Sequence, residues 1–228
     1  MSMRSSLILF ELYYLPAIIM MIIGWNGLPD RQKEIILKHK KAVLIFSHSS
    51  YFDFWLMLPY LWLYPNIRRR IRVLIKPQPF RYFGWFLRQI GAIPAPRLED
   101  RGQRMTDHMI GMMQKEDECI LMLSPKGTIV NAPWRSGYYH IADNLKVPII
   151  VMGFDYHRHL PLVLGVYDTN FGTREELEVE LKNKIASVTP LNPEYEACSS
   201  QLKPSVLGEG WLLRLSIVTI FTVAPWLT

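Results

Sequence analysis

A histidine and an aspartate stand five residues apart at the end of a short apolar run, in the stretch LIFSHSSYFDFW, residues 44 to 55. Histidine can act as a general base near neutral pH, and a carboxylate can hold its ring in one tautomer. A regular helix would turn the two side chains about 140° apart, and a strand would place them on opposite faces. His48 and Asp53 can therefore meet only if the backbone bends at Ser49 and Ser50, which favour turns.

The spacing alone leaves two interpretations open. One is a catalytic pair, and the other is a histidine whose hydrogen bond to a nearby carboxylate only supports the end of a strand. Ser49 and Ser50 also invite comparison with serine hydrolases, but no G-x-S-x-G sequence surrounds them. The elements around the pair must decide between these interpretations.

Short apolar runs alternate with helical patterns between residues 31 and 195. This alternation predicts a single α/β domain with a mostly parallel central sheet flanked by helices. In such sheets ligands collect at the carboxyl ends of the strands, and His48 follows one of these ends. Asp53 is expected to cap the helix that begins there. The predicted strands are 41–47, 72–75, 92–95, 119–124 and 147–153, and the predicted helices are 53–64, 80–91, 103–115, 136–144 and 174–188.

Further motifs follow His48 in a fixed order. They are Lys76, Pro79 and Gly84 within KPQPFRYFGWFLRQIGAIP, then GAIPAPR at 91–97, SPKGTI at 124–129 and VPIIVM at 147–152. With these motifs the chain resembles the glycerolipid acyltransferase family, typified by lysophosphatidic acid acyltransferases, over roughly residues 41 to 155. His48 and Asp53 match that family's H-x-x-x-x-D motif. Four ordered motifs are far more specific than the pair by itself.

The resemblance implies transfer of a fatty acyl group from acyl-CoA or acyl-carrier protein to a hydroxyl of a glycerolipid, such as lysophosphatidic acid or glycerol phosphate. It implies His48 as the general base, oriented by Asp53, with no covalent intermediate and no cofactor besides the acyl donor. A guanidinium matches phosphate oxygens in a two-pronged geometry, so Arg97 is expected to bind the acceptor's phosphate. The other expected substrate-binding residues are Lys76, Lys126, Gly127 and Thr128.

The third motif departs from the family's usual Phe-Pro-Glu-Gly-Thr-Arg. Lys126 stands where the family has Glu, and Ile129 stands where it has Arg. Three alternatives follow. Lys126 takes over anion binding from the missing arginine, or the acceptor differs, or the site is impaired and the chain only binds lipid or a partner at the membrane.

Two other sets of residues have possible roles around this site. Aromatic side chains could line a groove for the acyl chain, because each buried methylene contributes about 0.8 kcal/mol. The basic run RRRIR, residues 68–72, could face anionic headgroups, bind the phosphates of coenzyme A, or simply be solvated. The aromatic residues are Trp55, Trp62, Tyr82, Phe83, Trp85 and Phe86.

The composition of the chain limits the classes of molecule that it could bind. The chain has 228 residues, half of them hydrophobic, and a net charge of +6, which suits lipid headgroups or phosphorylated substrates. The charge would also suit nucleic acid, but no nucleic-acid-binding motif appears, so none is expected as a partner. Cys119 and Cys198 are the two cysteines, which indicates a reducing compartment and no structural zinc. His140, His157 and His159 form no convincing ligand pattern, so no metal is predicted.

The ends of the chain are strongly apolar. Residues 7–25 hold one charge, Glu11, and predict a membrane anchor within residues 1–30 that lies in the interface or dips into one leaflet; a buried core helix is the alternative. Basic residues after this run place the body on the cytoplasmic face. Residues 196–228 are expected to form a linker and a second apolar segment, which packs on the core or on the membrane.

Overall fold

Six strands form one sheet in a computed structural model that describes residues 22, 24–50, 52, 53, 56, 57, 64–95, 103–130 and 132–192. The strands are β1 Lys41–Phe46, β2 Ile71–Ile75, β3 Ala92–Pro94, β4 Cys119–Leu123, β5 Ile149–Asp155 and β6 Leu160–Tyr167. The helices are α1 Asp30–Leu37, α2 Pro65–Arg70, α3 Phe80–Gln89, α4 Gln103–Lys115, α5 Gly137–Leu145 and α6 Arg174–Ala186.

The order of the strands is β3-β2-β4-β1-β5-β6, and β1 to β5 all run parallel. β1 lies inside the sheet, with Ile45 beside Leu123 of β4 and Phe46 beside Met152 of β5. Because the five strands share one direction, their carboxyl ends meet at one edge of the sheet. We call this the carboxyl edge and the opposite one the amino edge. The predicted single α/β domain with a mostly parallel sheet is confirmed.

Helices cover both faces of the sheet, which explains why β1 is apolar on consecutive residues. Leu44 of β1 packs on one face with Ile36 of α1 and Trp25. Val43 packs on the other face, against α4, α5 and α6 through buried side chains such as Met109.

β6 is the strand that the sequence patterns do not predict. It pairs antiparallel with β5 at the end of the sheet, with Pro161 opposite Phe154. A proline within a run weakens a strand prediction, because it cannot donate to the hydrogen-bond ladder. An edge strand tolerates this loss, since one of its sides has no partner strand.

The predicted anchor and the predicted second apolar segment fall almost wholly outside the described residues. Within the described ranges, no helix is long and apolar enough to cross a bilayer. Trp25, the last residue of the run 7–25, is buried in the core, with its ring 5.0 Å from that of Tyr156.

Candidate active site

The chain turns sharply after β1, where Ser50 precedes the helical residues Phe52 and Asp53. The Ser50 hydroxyl accepts a hydrogen bond from the backbone N–H of Phe52 at 3.0 Å, and the Ser50 backbone N–H donates to Asp53 Oδ2 at 2.9 Å. Ser50 thus caps the helical residues through the N–H two positions on, and Asp53, three positions on, accepts the N–H of Ser50 in return. The prediction that Asp53 itself caps the helix is therefore wrong. Asp53 lies in the first turn, and the turn directs it back toward the strand end.

The predicted contact between His48 and Asp53 is present. His48 Nδ1 lies 3.2 Å from Asp53 Oδ2, and the backbone N–H of Ser49 donates to the same oxygen at 2.9 Å. The Asp53 side chain is 1% exposed, whereas that of His48 is 21% exposed. The carboxylate is thus fixed inside the protein, while the imidazole reaches the surface of the carboxyl edge.

Tyr156 holds the other oxygen of the carboxylate. Its hydroxyl donates to Asp53 Oδ1 at 2.5 Å, and its backbone N–H donates to the carbonyl of Thr189. Burial, and then the nearby Asp53 carboxylate, raise the pKa of Tyr156 well above its ordinary value, so the hydroxyl keeps its proton and donates. Sequence reasoning missed this residue because it lies 103 positions from Asp53. The available signal was its position directly after β5, at the carboxyl edge.

The two serines next to His48 have structural roles. Ser49 and Ser50 are buried, and both use their backbone N–H groups to bind Asp53. The carbonyl of Ser49 accepts a hydrogen bond from Asn192 Nδ2 at 2.9 Å, which ties the turn to the end of the described chain. These contacts account for the serines without any nucleophilic role.

The predicted substrate-binding residues divide between two loops of the carboxyl edge. Lys126 is 3% exposed and lies on the loop after β4, the strand next to β1. Half-buried Thr128 belongs to the same loop. Lys76 is exposed and directly follows β2, one strand further away. Arg97 lies outside the described residues.

Gly127 forms part of a turn in the loop after β4. Its φ of +65° is the left-handed conformation that favours glycine, and its N–H donates to the carbonyl of Ser124 at 3.0 Å. Its contact with a substrate stays a prediction. The Ser124 hydroxyl, by contrast, is buried and has no hydrogen-bond partner within the described part of the chain.

The basic run 68–72 lies at the amino edge, away from His48. Arg70 pairs with Glu118 at 2.8 Å, and Arg72 contacts Glu116 through two nitrogens at 3.1 and 2.6 Å. Because β2 begins at residue 71 and runs parallel to β1, these arginines precede the strands whose far ends carry the site. The structure argues against coenzyme A phosphates binding Arg70 or Arg72 at the site.

A small apolar pocket of about 30 Å³ lies on the face of the sheet that carries Leu44 and Phe46. The Phe46 ring contacts the His48 ring, with 5.7 Å between centroids. The pocket's lining includes Leu28, Ile36, Leu44, Met122, Met152 and Phe154.

Of the aromatic residues predicted for an acyl groove, the four that the structure describes do not line this pocket. Tyr82, Phe83 and Trp85 are exposed, Phe86 is half-buried on α3, and Trp55 and Trp62 lie outside the described residues. Nor do the described residues bring three or more His, Cys, Asp or Glu side chains together in a way that could hold a metal ion.

Comparison with known proteins agrees with this geometry. A family model described as Acyltransferase matches residues 29–155, more than half of the chain, which includes His48, Asp53 and strands β1 to β5. The fold is similar to the crystal structure of the 1-acyl-sn-glycerophosphate (LPA) acyltransferase PlsC from Thermotoga maritima. The TM-score is 0.57 at 15% identity, covering 82% of this chain and 81% of that one. No curated protein sequence matches significantly. The family match shows that the chain belongs to the acyltransferase family, as its resemblance to the glycerolipid acyltransferases predicts.

Proposed function

We propose that this chain transfers a fatty acyl group from an acyl thioester, carried by coenzyme A or by acyl-carrier protein, to a hydroxyl of a glycerolipid such as lysophosphatidic acid or glycerol phosphate. The observation that carries the proposal is the buried Asp53 carboxylate against Nδ1 of a partly exposed His48. This pair lies at the carboxyl edge of a sheet in a chain of the acyltransferase family.

In the proposed reaction His48 Nε2 takes the proton of the acceptor hydroxyl as its oxygen attacks the thioester carbonyl. The tetrahedral intermediate then collapses, the carbon–sulfur bond breaks, and the imidazolium returns the proton to the leaving thiolate. Asp53 accepts the Nδ1–H and stabilises the imidazolium that forms. A positioned general base contributes on the order of 10²- to 10⁴-fold in rate.

Tyr156 serves as a positioning residue in this mechanism. A buried carboxylate needs donors to replace its lost hydration, and Asp53 receives them from two backbone N–H groups and the Tyr156 hydroxyl. Donors on both oxygens prevent the carboxylate from rotating. The imidazole is therefore held at one angle without Tyr156 touching the substrate.

The acceptor's phosphate would bind beside His48, on the loop after β4. Lys126 is the cation on the strand end next to β1, and the Ser124 hydroxyl has hydrogen-bonding capacity that the described chain does not use. Lys76 and Thr128 lie at the same edge, and Arg97 would complete the phosphate site. This assignment favours the first alternative for the altered motif, in which Lys126 takes over anion binding.

The apolar side chains on the face of the sheet that carries Phe46 would contact the first part of the acyl chain. The Phe46 ring touches His48, and the lining of the small pocket on this face includes no charged group. Buried methylenes then dominate the affinity for the donor. Because the proposed substrates are lipids, we propose that the protein associates with a membrane and that its α/β domain lies on the cytoplasmic face.

The test is a lipid-substrate screen with the full-length protein in mixed micelles, in which released thiol and acylated product are both measured. We expect thioester-dependent acylation, and we expect His48→Ala to lower kcat by 10²- to 10⁴-fold at unchanged thermal stability. His108→Ala, an exposed histidine on α4, is the matched control and should keep full activity. A His48→Ala protein as active as the original would remove the histidine from the mechanism.

A catalytically impaired relative that binds lipid or a partner is the second candidate. The observation that favours it is the replacement of the family's Glu by Lys126 and of its Arg by Ile129. Absence of turnover in the native chain, together with activity created by Lys126→Glu, would select this candidate.

A further inference from the structure

One stretch of the chain is strongly basic because it contains no acidic residue. Residues 54–98 contain eight lysines and arginines and no aspartate or glutamate, whereas the whole chain has a net charge of only +6. The stretch includes β2, α3 and β3, so this basic part of the sequence is also one end of the sheet.

Helix α3 packs on that end of the sheet by one face only. Leu87 is buried in a small cluster with Ile90 and Ala92, and Phe80 and Phe86 pack against the same cluster. The same helix exposes three neighbouring aromatic side chains, with 62% of Tyr82, 50% of Phe83 and 55% of Trp85 accessible. Three large apolar side chains within four residues form a patch of the kind that marks a binding surface.

The charges around this patch differ from those at the amino edge. Lys76, Arg81 and Arg88 are exposed and make no ion pair with any described residue. The Arg81 guanidinium lies 5.9 Å from the ring of Tyr82, so cation and aromatic ring share one surface. Arg70 and Arg72, in the same basic stretch, are paired with glutamates.

We propose that Tyr82, Phe83 and Trp85, together with Lys76, Arg81 and Arg88, form an aromatic–basic surface that docks on an anionic phospholipid bilayer. Aromatic rings favour the depth of the lipid headgroups, and each basic residue near an anionic surface adds to the attraction. Protein interfaces are also enriched in aromatic side chains and arginine, so the aromatic rings alone do not select a bilayer. The choice of a bilayer rests on the exposed cations around these rings, which make no ion pair with a described residue and complement lipid phosphates.

The aromatic–basic surface begins at the same edge of the sheet as the candidate active site. α3 begins five residues after β2 ends, at the carboxyl edge that also holds His48. β2 and β1 are separated by β4 alone, which corresponds to about 10 Å between their strands. Docking here would place the carboxyl edge at the membrane surface, where a lysolipid could reach His48 without leaving the bilayer. This consequence rests on the proposed function, whereas docking itself does not.

The test measures the depth of one labelled position in the full-length chain. Cys198→Ser leaves buried Cys119, and Trp85→Cys then introduces a site for an environment-sensitive NBD fluorophore. The matched control carries the same label at Val179→Cys on α6, where the native side chain is 58% exposed. With vesicles of phosphatidylcholine and phosphatidylglycerol, we expect a blue shift and quenching by brominated lipids at position 85, and neither at position 179.

A second pair of variants tests the charge. Arg81→Gln with Arg88→Gln should lower the partitioning of the position-85 label into phosphatidylglycerol vesicles by about 30-fold, because each basic residue contributes roughly a factor of five. Lys182→Gln with Lys184→Gln on α6 is the control and should have little effect.

The outcomes separate this proposal from the proposed function. A label at position 85 that stays in water while the protein is bound to vesicles would overturn the docking surface. Shielding of the same label without vesicles, growing with protein concentration, would also overturn it and would indicate a second copy as the occupant. Because no turnover is measured, an inactive chain whose label enters the bilayer would support the surface and count against acyl transfer alone.

Discussion

The two edges of the parallel sheet place their charged groups in different surroundings. At the amino edge Arg70 and Arg72 meet Glu118 and Glu116, with side chains that are 20% to 40% exposed. At the carboxyl edge Asp53 is 1% exposed, and hydrogen-bond donors surround it instead of a permanent cation. One edge carries surface ion pairs, and the other carries a buried charge that is held by hydrogen-bond donors.

The difference distinguishes charges that only support the structure from charges that would take part in the reaction. Exposed ion pairs contribute at most about 1 kcal/mol, so they shape the surface without determining the fold. A buried carboxylate is unfavourable unless every oxygen is bound, and its surroundings are therefore specific. The amino edge should thus tolerate substitution, while the carboxyl edge should not.

Tyr156→Phe should produce the largest effect among the variants that preserve the shape of the site. The ring still packs against Trp25, but Asp53 Oδ1 loses its donor inside the protein. Leaving a buried acceptor unsatisfied costs about 1–3 kcal/mol of folding stability. We expect kcat to fall by about 10- to 100-fold with KM within about twofold, as for other residues that orient a catalytic side chain.

A double-mutant comparison distinguishes positioning from general damage. If Tyr156 acts through Asp53, then Tyr156→Phe should lower kcat far less in an Asp53→Asn background than in the native chain. Equal losses in both backgrounds would show that the hydroxyl supports the fold rather than the carboxylate.

A substitution of Lys126 should have an effect of intermediate size on activity. Lys126→Met keeps much of the side-chain volume and removes the charge from the loop beside His48. We expect KM for a phosphorylated acceptor to rise about tenfold, with a smaller change for an acceptor without phosphate, because hydrogen bonds to charged groups are worth about 1.5–3 kcal/mol. The two acceptors are compared in the same thiol-release assay. An equal change for both would mean that Lys126 does not bind the phosphate.

The sequence predicts the frame of the molecule better than the interior of its site. Strands β1, β4 and β5 are built on continuous apolar runs, so each can be located without knowledge of its neighbours. The bend between His48 and Asp53 is also local, because a few turn-forming residues produce it. Tyr156 could not be found in this way, since its contact with Asp53 exists only after β1 and β5 have paired.

The surroundings of the charged side chains are also difficult to predict from the sequence. The run 68–72 contains four arginines, yet whether they face a ligand depends on Glu116 and Glu118, which approach only when β2 and β4 align. Lys126 is similar, because an isolated lysine in a turn motif gives no sign of being 3% exposed. Partners that are distant in the sequence decide whether a charge is structural or available to a substrate.

The Arg72–Glu116 pair should give the smallest effect. Glu116→Gln replaces the charge of a partly exposed side chain while keeping its shape, so we expect a loss of about 0.2–1 kcal/mol that shrinks at high salt. For a domain of this size the midpoint of thermal unfolding should fall by no more than about 4 °C. In the Glu116→Gln background the ion pair is already lost, so Arg72→Gln should lower the stability further only through its other contacts. These are the hydrogen bonds that Arg72 donates to the carbonyls of Arg69 and Ile71. Activity should be unchanged, because the pair lies a full strand length from His48. A loss of turnover in folded Glu116→Gln protein would contradict the division between the two edges.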